Sequence, residues 1–220
     1  MKLVLASGSQ RRRELLTMCG YDYEIIVSNA DETIDENDPE SFVRALSFRK
    51  AKEVFDRLFA AGRRDFAVIG SDTVVAFQKE GETKPVIIGK PKDAEDAVRI
   101  LSMLSGKTHR VFTGVSVIAD IPDENADAQC SIREKAEIQT ECSITEVTFE
   151  TLSPDEIADY VNSGDPLDKA GSYGIQGPFG MFVREIRGNY FTVIGMPIPV
   201  LYKMLKKIGI LPHGFYERIE

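Results

Sequence analysis

The chain has 220 residues, 43% of them hydrophobic, enough to bury a sizeable core in one large domain or two small ones. Lys and Arg number 27 against 35 Asp and Glu, a net charge of −8 that excludes the broad basic face of a general nucleic-acid binder but allows a small anion held by a few local cations. No apolar run nears membrane-spanning length and no signal pattern opens the chain, while the odd, widely spaced Cys19, Cys130 and Cys142 read as reduced thiols of a cytoplasmic protein.

Leu3 to Ala6 predicts a buried strand, and Ser9 an N-cap for a helix from Gln10 to Cys19 that Gly20 stops. Tyr23 to Val27, β-branched and aromatic, predicts a second strand. The acidic loop SNADETIDENDPE follows. Within it Asp38 caps and Pro39 opens a helix with Phe42, Val43, Leu46, Val54, Phe55 and Leu58 as its core stripe. FAVIGSDTVVAF is the strongest strand signal, with QKEGETKP as the turn after it. Asp93 caps a helix whose Ala97, Ile100, Leu101 and Leu104 face inward. Val111 to Ala119 and Ala136 to Leu152 are strand-rich, and the polar residues 120–134 predict an exposed loop. SPDEIADYVNSG predicts a helix capped by Ser153, opened by Pro154 and ended by Gly164. FVREIRGNYFTVIG predicts a hairpin, and Pro197 or Pro199 opens a last helix through Leu205 to Lys207. This alternation, without linker or repeat, predicts one α/β domain over residues 1–220, with a short C-terminal tail after 208 whose end, HGFYERIE, is poorly fixed.

Four stretches break the core-and-surface pattern. In ASGSQRRREL, three arginines crowd the first turn of a helix, where the macrodipole repels cations. An anion bound at the free N–H groups of that turn, with Arg11 and Arg12 beside it, removes the conflict; solvated arginines paired with acids elsewhere are the alternative. In GSDTVV, Asp72 interrupts an apolar run. A buried carboxylate needs a partner, either at a structural bulge or at an active site on a strand end. In GDPLDKAGSYGIQGPFG, the glycines let backbone approach a ligand, and Lys169 and Gln176 are the polar groups on offer. Leu167, Tyr173, Ile175 and Phe179 give that loop apolar anchors against the alternative of a flexible surface loop. In IIGKPKDAEDA, Lys90 sits in a turn before a helix and alone reads as an ordinary turn lysine. His109 and His213 have no neighbours at nucleophile-base or metal spacing. Carboxylates, cations and glycine-rich turns suit metal-assisted attack on a phosphoryl group.

Taken in order, ASGSQRRREL, DET at 31–33, GSDTVV, GKPKDAEDAVRILSMLSGKTHRVFTGV and GDPLDKAGSYGIQG resemble the Maf family of nucleoside triphosphate pyrophosphatases, over residues 2–208. Gln10 stands where the family has a proline. Since proline there only presets φ, a small stability effect and no change of function are expected. The resemblance implies an α/β fold with a long twisted mixed sheet, flanking helices and two lobes around a cleft, Maf/ITPase-like. It implies hydrolysis between the α- and β-phosphates, a divalent cation (Mg2+ or Mn2+), and a homodimer. The family's catalytic acid matches Asp72 and its glutamate Glu32, which together would hold the metal. Its phosphate-binding positions match Arg11, Arg12, Lys50, Lys90 and Lys169, with Ser7 joining them from the opening turn, while Arg13 is expected to face solvent. Arg11, Thr73 and Gln176 match the subgroup that cleaves dTTP and UTP, rather than the one that prefers 7-methyl-GTP. A glutamine amide can donate to and accept from a uracil or thymine edge. Two other classes compete: a nucleotide-binding regulator of cell division with little turnover, and an RNA- or DNA-binding protein using Arg11 to Arg13. The carboxylates argue against the first and the net charge against the second.

Overall fold

The computed structural model describes residues 1–79, 81–121 and 136–214. Its elements are β1 (Lys2–Leu5), α1 (Gln10–Met18), β2 (Glu24–Ile25), α2 (Pro39–Ala60), β3 (Phe66–Phe77), β4 (Val86–Ile88) and α3 (Ala94–Leu104), then β5 (Thr108–Asp120) and β6 (Ala136–Phe149). The chain continues through α4 (Pro154–Asn162), three 3-10 turns (Asp165–Asp168, Ala170–Ser172 and Pro178–Phe182), β7 (Val183–Arg187), α5 (Tyr190–Ile194) and α6 (Ile198–Lys207). Within them no helix is long and apolar enough to cross a membrane.

The twelve residues of FAVIGSDTVVAF form β3, buried along its length apart from half-buried Thr73. The apolar runs on either side of Ser71-Asp72-Thr73 fit a strand covered on both faces. The sheet order is β2-β1-β3-β5-β6-β7, with β4 also on β3. β1 runs parallel to β2 and β3, and the other pairings are antiparallel, so the sheet is mixed, as expected. One edge of β3 pairs without a break with β5 from Ala67 to Ala76. Its other edge pairs with β1 over Phe66 to Ile69 and with β4 over Val75 to Phe77. Residues 70–74 therefore have no strand on that side, and the sheet opens there.

Two packed lobes share β3 and β5. In one, Val75, Phe77 and Val111 pack with α3, α4, Tyr173 and Phe179. In the other, Ala67, Ile69, Val115 and Val117 pack with Leu5, Leu15, Leu16 and α6. The long helix α2 lies against the sheet at backbone contact. A Cβ on Gly70 would stand 2.2 Å from the Ser47 carbonyl, and one on Gly114 2.2 Å from that of Val43. Glycine at both positions lets the helix descend far enough for a lysine one turn on to reach the sheet.

Capping chemistry behaves as read for three helices. Asp38, Asp93 and Ser153 accept from the N–H groups of Ser41, Asp96 and Glu156, and Ser153 with Glu156 completes a capping box. Ala97, Ile100, Leu101 and Leu104 are all buried.

Other expectations are corrected. Ser9 occupies the N-cap position of α1 without a side-chain cap; its own N–H donates to Ser7 Oγ. β2 is only two residues long, since both are exposed and bury no core. Phe42 and Leu58, half-buried, do pack against buried core residues, whereas Leu167 is 43% exposed, so it anchors nothing. The second arm of the expected hairpin is helical: Asn189 caps Thr192, and Gly195, at φ 112°, ends α5. Of the terminal HGFYERIE, only His213 and Gly214 lie within the described residues. The His213 N–H donates to the Gly20 carbonyl at 2.7 Å, and its ring meets Asp22 at 2.8 Å. Most of the expected 120–134 loop, with Cys130 and residues 215–220, lies outside the described residues.

Candidate functional site

A cleft of about 1660 Å³ opens at the unpaired stretch of β3. Every residue singled out in the sequence lines it: Ser7, Arg11, Arg12, Glu32, Lys50, Asp72, Thr73, Lys90, Lys169 and Gln176. Strand alternation sends Asp72 to the face that carries α2 and Thr73 to the opposite face. The cleft thus has an acidic side and a basic side.

On the acidic side the Lys50 ammonium donates to Asp72 Oδ1 at 2.7 Å and pairs with Glu32 Oε1 at 2.9 Å. The Lys50 and Asp72 side chains are each 12% exposed, so each relies on the other in a largely desolvated setting. Glu32 stands on an irregular loop, yet it is placed. Arg49 Nη1 donates to the carbonyls of Asp31 and Thr33, both at 2.8 Å, and so pins the loop on either side of Glu32. Sequence reading missed Arg49; its only signal is adjacency to Lys50.

On the basic side Arg12 reaches three chain segments. Its Nε donates to the Gly195 carbonyl at 2.9 Å, Nη1 to Ser7 Oγ at 3.1 Å and Nη2 to Thr73 Oγ1 at 3.4 Å. A guanidinium has five N–H donors, so two stay available for a ligand. Burial lowers its pKa, an effect the Asp72 charge opposes. This guanidinium is a fixed part of the wall, short of solvent and suited to an anion. Arg13 departs from expectation: it is half-buried, lines the cleft, and its Nε is buried without a partner.

The glycine-rich segment is packed. The Gly171 N–H donates to the Gly89 carbonyl at 2.9 Å, tying the segment to the Lys90 turn. At φ 71° Gly171 lies so close to β3 that a Cβ would stand 2.5 Å from Val75 Cγ2. Lys169 bonds Asp165 Oδ1 at 2.9 Å, the Asp165 carbonyl and Asp168 Oδ1 at 2.8 Å. The other oxygen of Asp168 meets Arg11 Nη1 at 3.5 Å across the cleft. Burial raises the Asp168 pKa, but the Lys169 bond and the charges of Lys169, Arg11 and Lys90 outweigh it and leave the carboxyl below its usual range. Asp165 and Asp168 were not singled out in the sequence, although both flank Lys169 in GDPLDK. Lys90 and Gln176 are exposed at the rim.

His109 is outside this chemistry. It is buried behind the cleft wall, with Nε2 2.9 Å from the Tyr173 hydroxyl, and burial lowers its pKa to about 3, so the ring stays neutral. Its place is structural, supporting the segment that carries Lys169 and Gln176.

Among the described residues no group of three or more His, Cys, Asp or Glu is arranged for a metal ion. Asp72 and Glu32 nevertheless converge on one cation, the Lys50 ammonium. Two carboxylates suit Mg2+ or Mn2+, which bind through one or two carboxylates and complete their shell with water and substrate phosphates. The donor set fits a metal shared with a phosphate ligand.

Comparison with known proteins agrees with the motif order. The sequence model of the family described as Maf-like protein matches residues 2–208. A dTTP/UTP pyrophosphatase of Agathobacter rectalis is 41% identical over 217 residues, covering 95% of this chain and 98% of that protein. A dTTP/UTP pyrophosphatase of Bacillus thuringiensis subsp. konkukian is 42% identical over 210 residues, covering 95% and 96%. Among solved structures, the Staphylococcus aureus Ham1 protein superposes with a TM-score of 0.50 over 94% of this chain and 99% of that one. At 15% identity that likeness bears on the fold alone.

Proposed function

The chain belongs to the Maf family, and on that premise we propose that it hydrolyses nucleoside triphosphates, dTTP and UTP foremost, to the monophosphate and pyrophosphate. The observation that carries the reading is Asp72 on the unpaired stretch of β3, facing a cleft that also holds Arg11, Arg12, Lys50, Lys90 and Lys169. Asp72 orients the attacking water and takes its proton as oxygen bonds to the α-phosphorus. The bond between the α- and β-phosphates breaks, and its electron pair leaves with pyrophosphate. The arginines and lysines neutralise the triphosphate and the charge growing on the leaving group. Asp72 and Glu32 would hold a divalent cation, which when bound supplies further neutralisation and a more acidic water. Lys50 now shields both carboxylates and is placed to turn to the phosphates once such a cation balances them.

Arg11, Thr73 and Gln176 set base preference in this reading. The Gln176 amide pairs with the uracil or thymine edge, and small Thr73 leaves the strand uncrowded. A measured panel should give kcat/KM for dTTP and UTP at least about tenfold above ATP, GTP and 7-methyl-GTP, about the effect of one unpaired polar group at a binding edge. Gln176→Glu should narrow the gap in a folded protein. Equal values for a purine and for dTTP would remove the base assignment and leave pyrophosphatase activity standing. Excess EDTA should abolish turnover, and added Mg2+ or Mn2+ should restore it; activity that survives chelation removes the metal. We also assign residues 1–220 to one domain and the enzyme to a cytoplasmic homodimer, a setting that suits the free thiols of Cys19 and Cys142.

A further inference from the structure

We propose that Tyr160, on α4 outside the cleft, is a positioning residue that holds Lys169; the inference rests on the pyrophosphatase reading. The Tyr160 side chain is buried, and its hydroxyl makes two bonds. It donates to Asp165 Oδ2 at 2.6 Å and accepts the Gly174 N–H at 3.3 Å. These two partners are the walls of a slot around Lys169. Asp165 takes the ammonium on Oδ1 and on its carbonyl. Gly174 lies under the stem so closely that a Cβ there would stand 2.6 Å from Lys169 Cε. One hydroxyl therefore fixes both sides of the slot.

The lysine's donors explain why that matters. An ammonium has three N–H groups, and Asp165 and Asp168 occupy all three. A phosphate must replace one of these acceptors. Asp168, whose side chain is 69% exposed, is the partner that yields most readily, whereas that of Asp165 is 33% exposed and held by Tyr160. Asp165 thus keeps the ammonium aimed while Asp168 gives way. Burial, and after it the Asp165 bond, push the Tyr160 pKa up, so the hydroxyl stays a donor. Its ring is fixed against Phe179, 4.8 Å away between centroids.

The test is a double-mutant cycle on dTTP hydrolysis with Tyr160→Phe and Lys169→Met. Tyr160→Phe keeps the ring and removes only the hydroxyl. It should raise KM about three- to tenfold with kcat within about twofold, the effect of a lost positioning bond. Lys169→Met should lower kcat/KM about ten- to a hundredfold. In the Lys169→Met background Tyr160→Phe should change kcat/KM less than about twofold, because the residue it positions is gone. Asp165→Ala, which leaves the aromatic packing intact, should reproduce the KM effect and the same non-additivity. Effects that multiply in both cycles would overturn the inference, as would a Tyr160→Phe enzyme with unchanged KM. A wild-type protein that cleaves no triphosphate would overturn the functional reading and this inference with it, whereas normal wild-type turnover with multiplying effects overturns this inference alone.

Discussion

Asp72→Asn is expected to leave a folded protein whose turnover of dTTP falls about 10²–10⁴-fold, the loss typical of removing a general base, with loss of a metal ligand adding to it. The substitution keeps side-chain volume and removes only the charge. Asp72 is 8% exposed at the one stretch of β3 edge that no strand covers, so its carboxylate is spent on the cleft and on Lys50. An asparagine oxygen can still accept from Lys50, and Glu32 remains as that lysine's second partner. The buried cation is therefore never stranded, and the stability cost should fall below the roughly 3–5 kcal/mol seen when a buried pair loses one member outright. Pyrophosphate release and a thermal melt on the same preparation check both halves. Near-normal turnover in a folded variant would deny Asp72 its role.

Arg12→Ala is expected to lower kcat/KM for dTTP about ten- to a hundredfold, since a charge-assisted contact to phosphate contributes about 1.5–3 kcal/mol. Arg12 also clasps Ser7, Thr73 and Gly195, so loss of the fold is the rival explanation for any loss of activity. Each of those partners keeps another bond. The Gly195 carbonyl still accepts from Ser71 Oγ at 2.9 Å, Thr73 still meets Thr113 at 3.0 Å, and Ser7 still accepts the Ser9 N–H. The variant should fold, and Arg12→Lys should recover only part of the loss, because a lysine restores the charge without the planar fork. Unchanged kinetics in Arg12→Ala would make the residue a clasp and nothing more.

The opening puzzle of arginines at a helix N-terminus finds a physical account in this geometry. Arg12 leaves the dipole's axis to lie along the cleft wall, and Arg11 crosses the opening to Asp168. What could be read from sequence was whatever local chemistry decides: the buried run of β3, the caps of α2, α3 and α4, and the inward face of α3. The residues that line the cleft were readable as motifs in order. Their pairing was not, because it depends on approaches between distant segments. Lys50 reaches Asp72 only because Gly70 and Gly114 let α2 sit at backbone contact with the sheet. Glu32 is placed by Arg49, and Lys169 by carboxylates that its own loop folds back onto it. The expected hairpin failed for a related reason. Apolar TVI reads equally well as strand or short helix, and the Asn189 cap with Gly195 decides for the helix.

Phosphorus NMR of the products formed from dTTP tests the central claim most directly. Cleavage between the α- and β-phosphates should yield dTMP and pyrophosphate in equal amounts, with no dTDP and no orthophosphate. Accumulation of dTDP with orthophosphate would place the attack at the γ-phosphate and contradict the assignment of this cleft to pyrophosphate release.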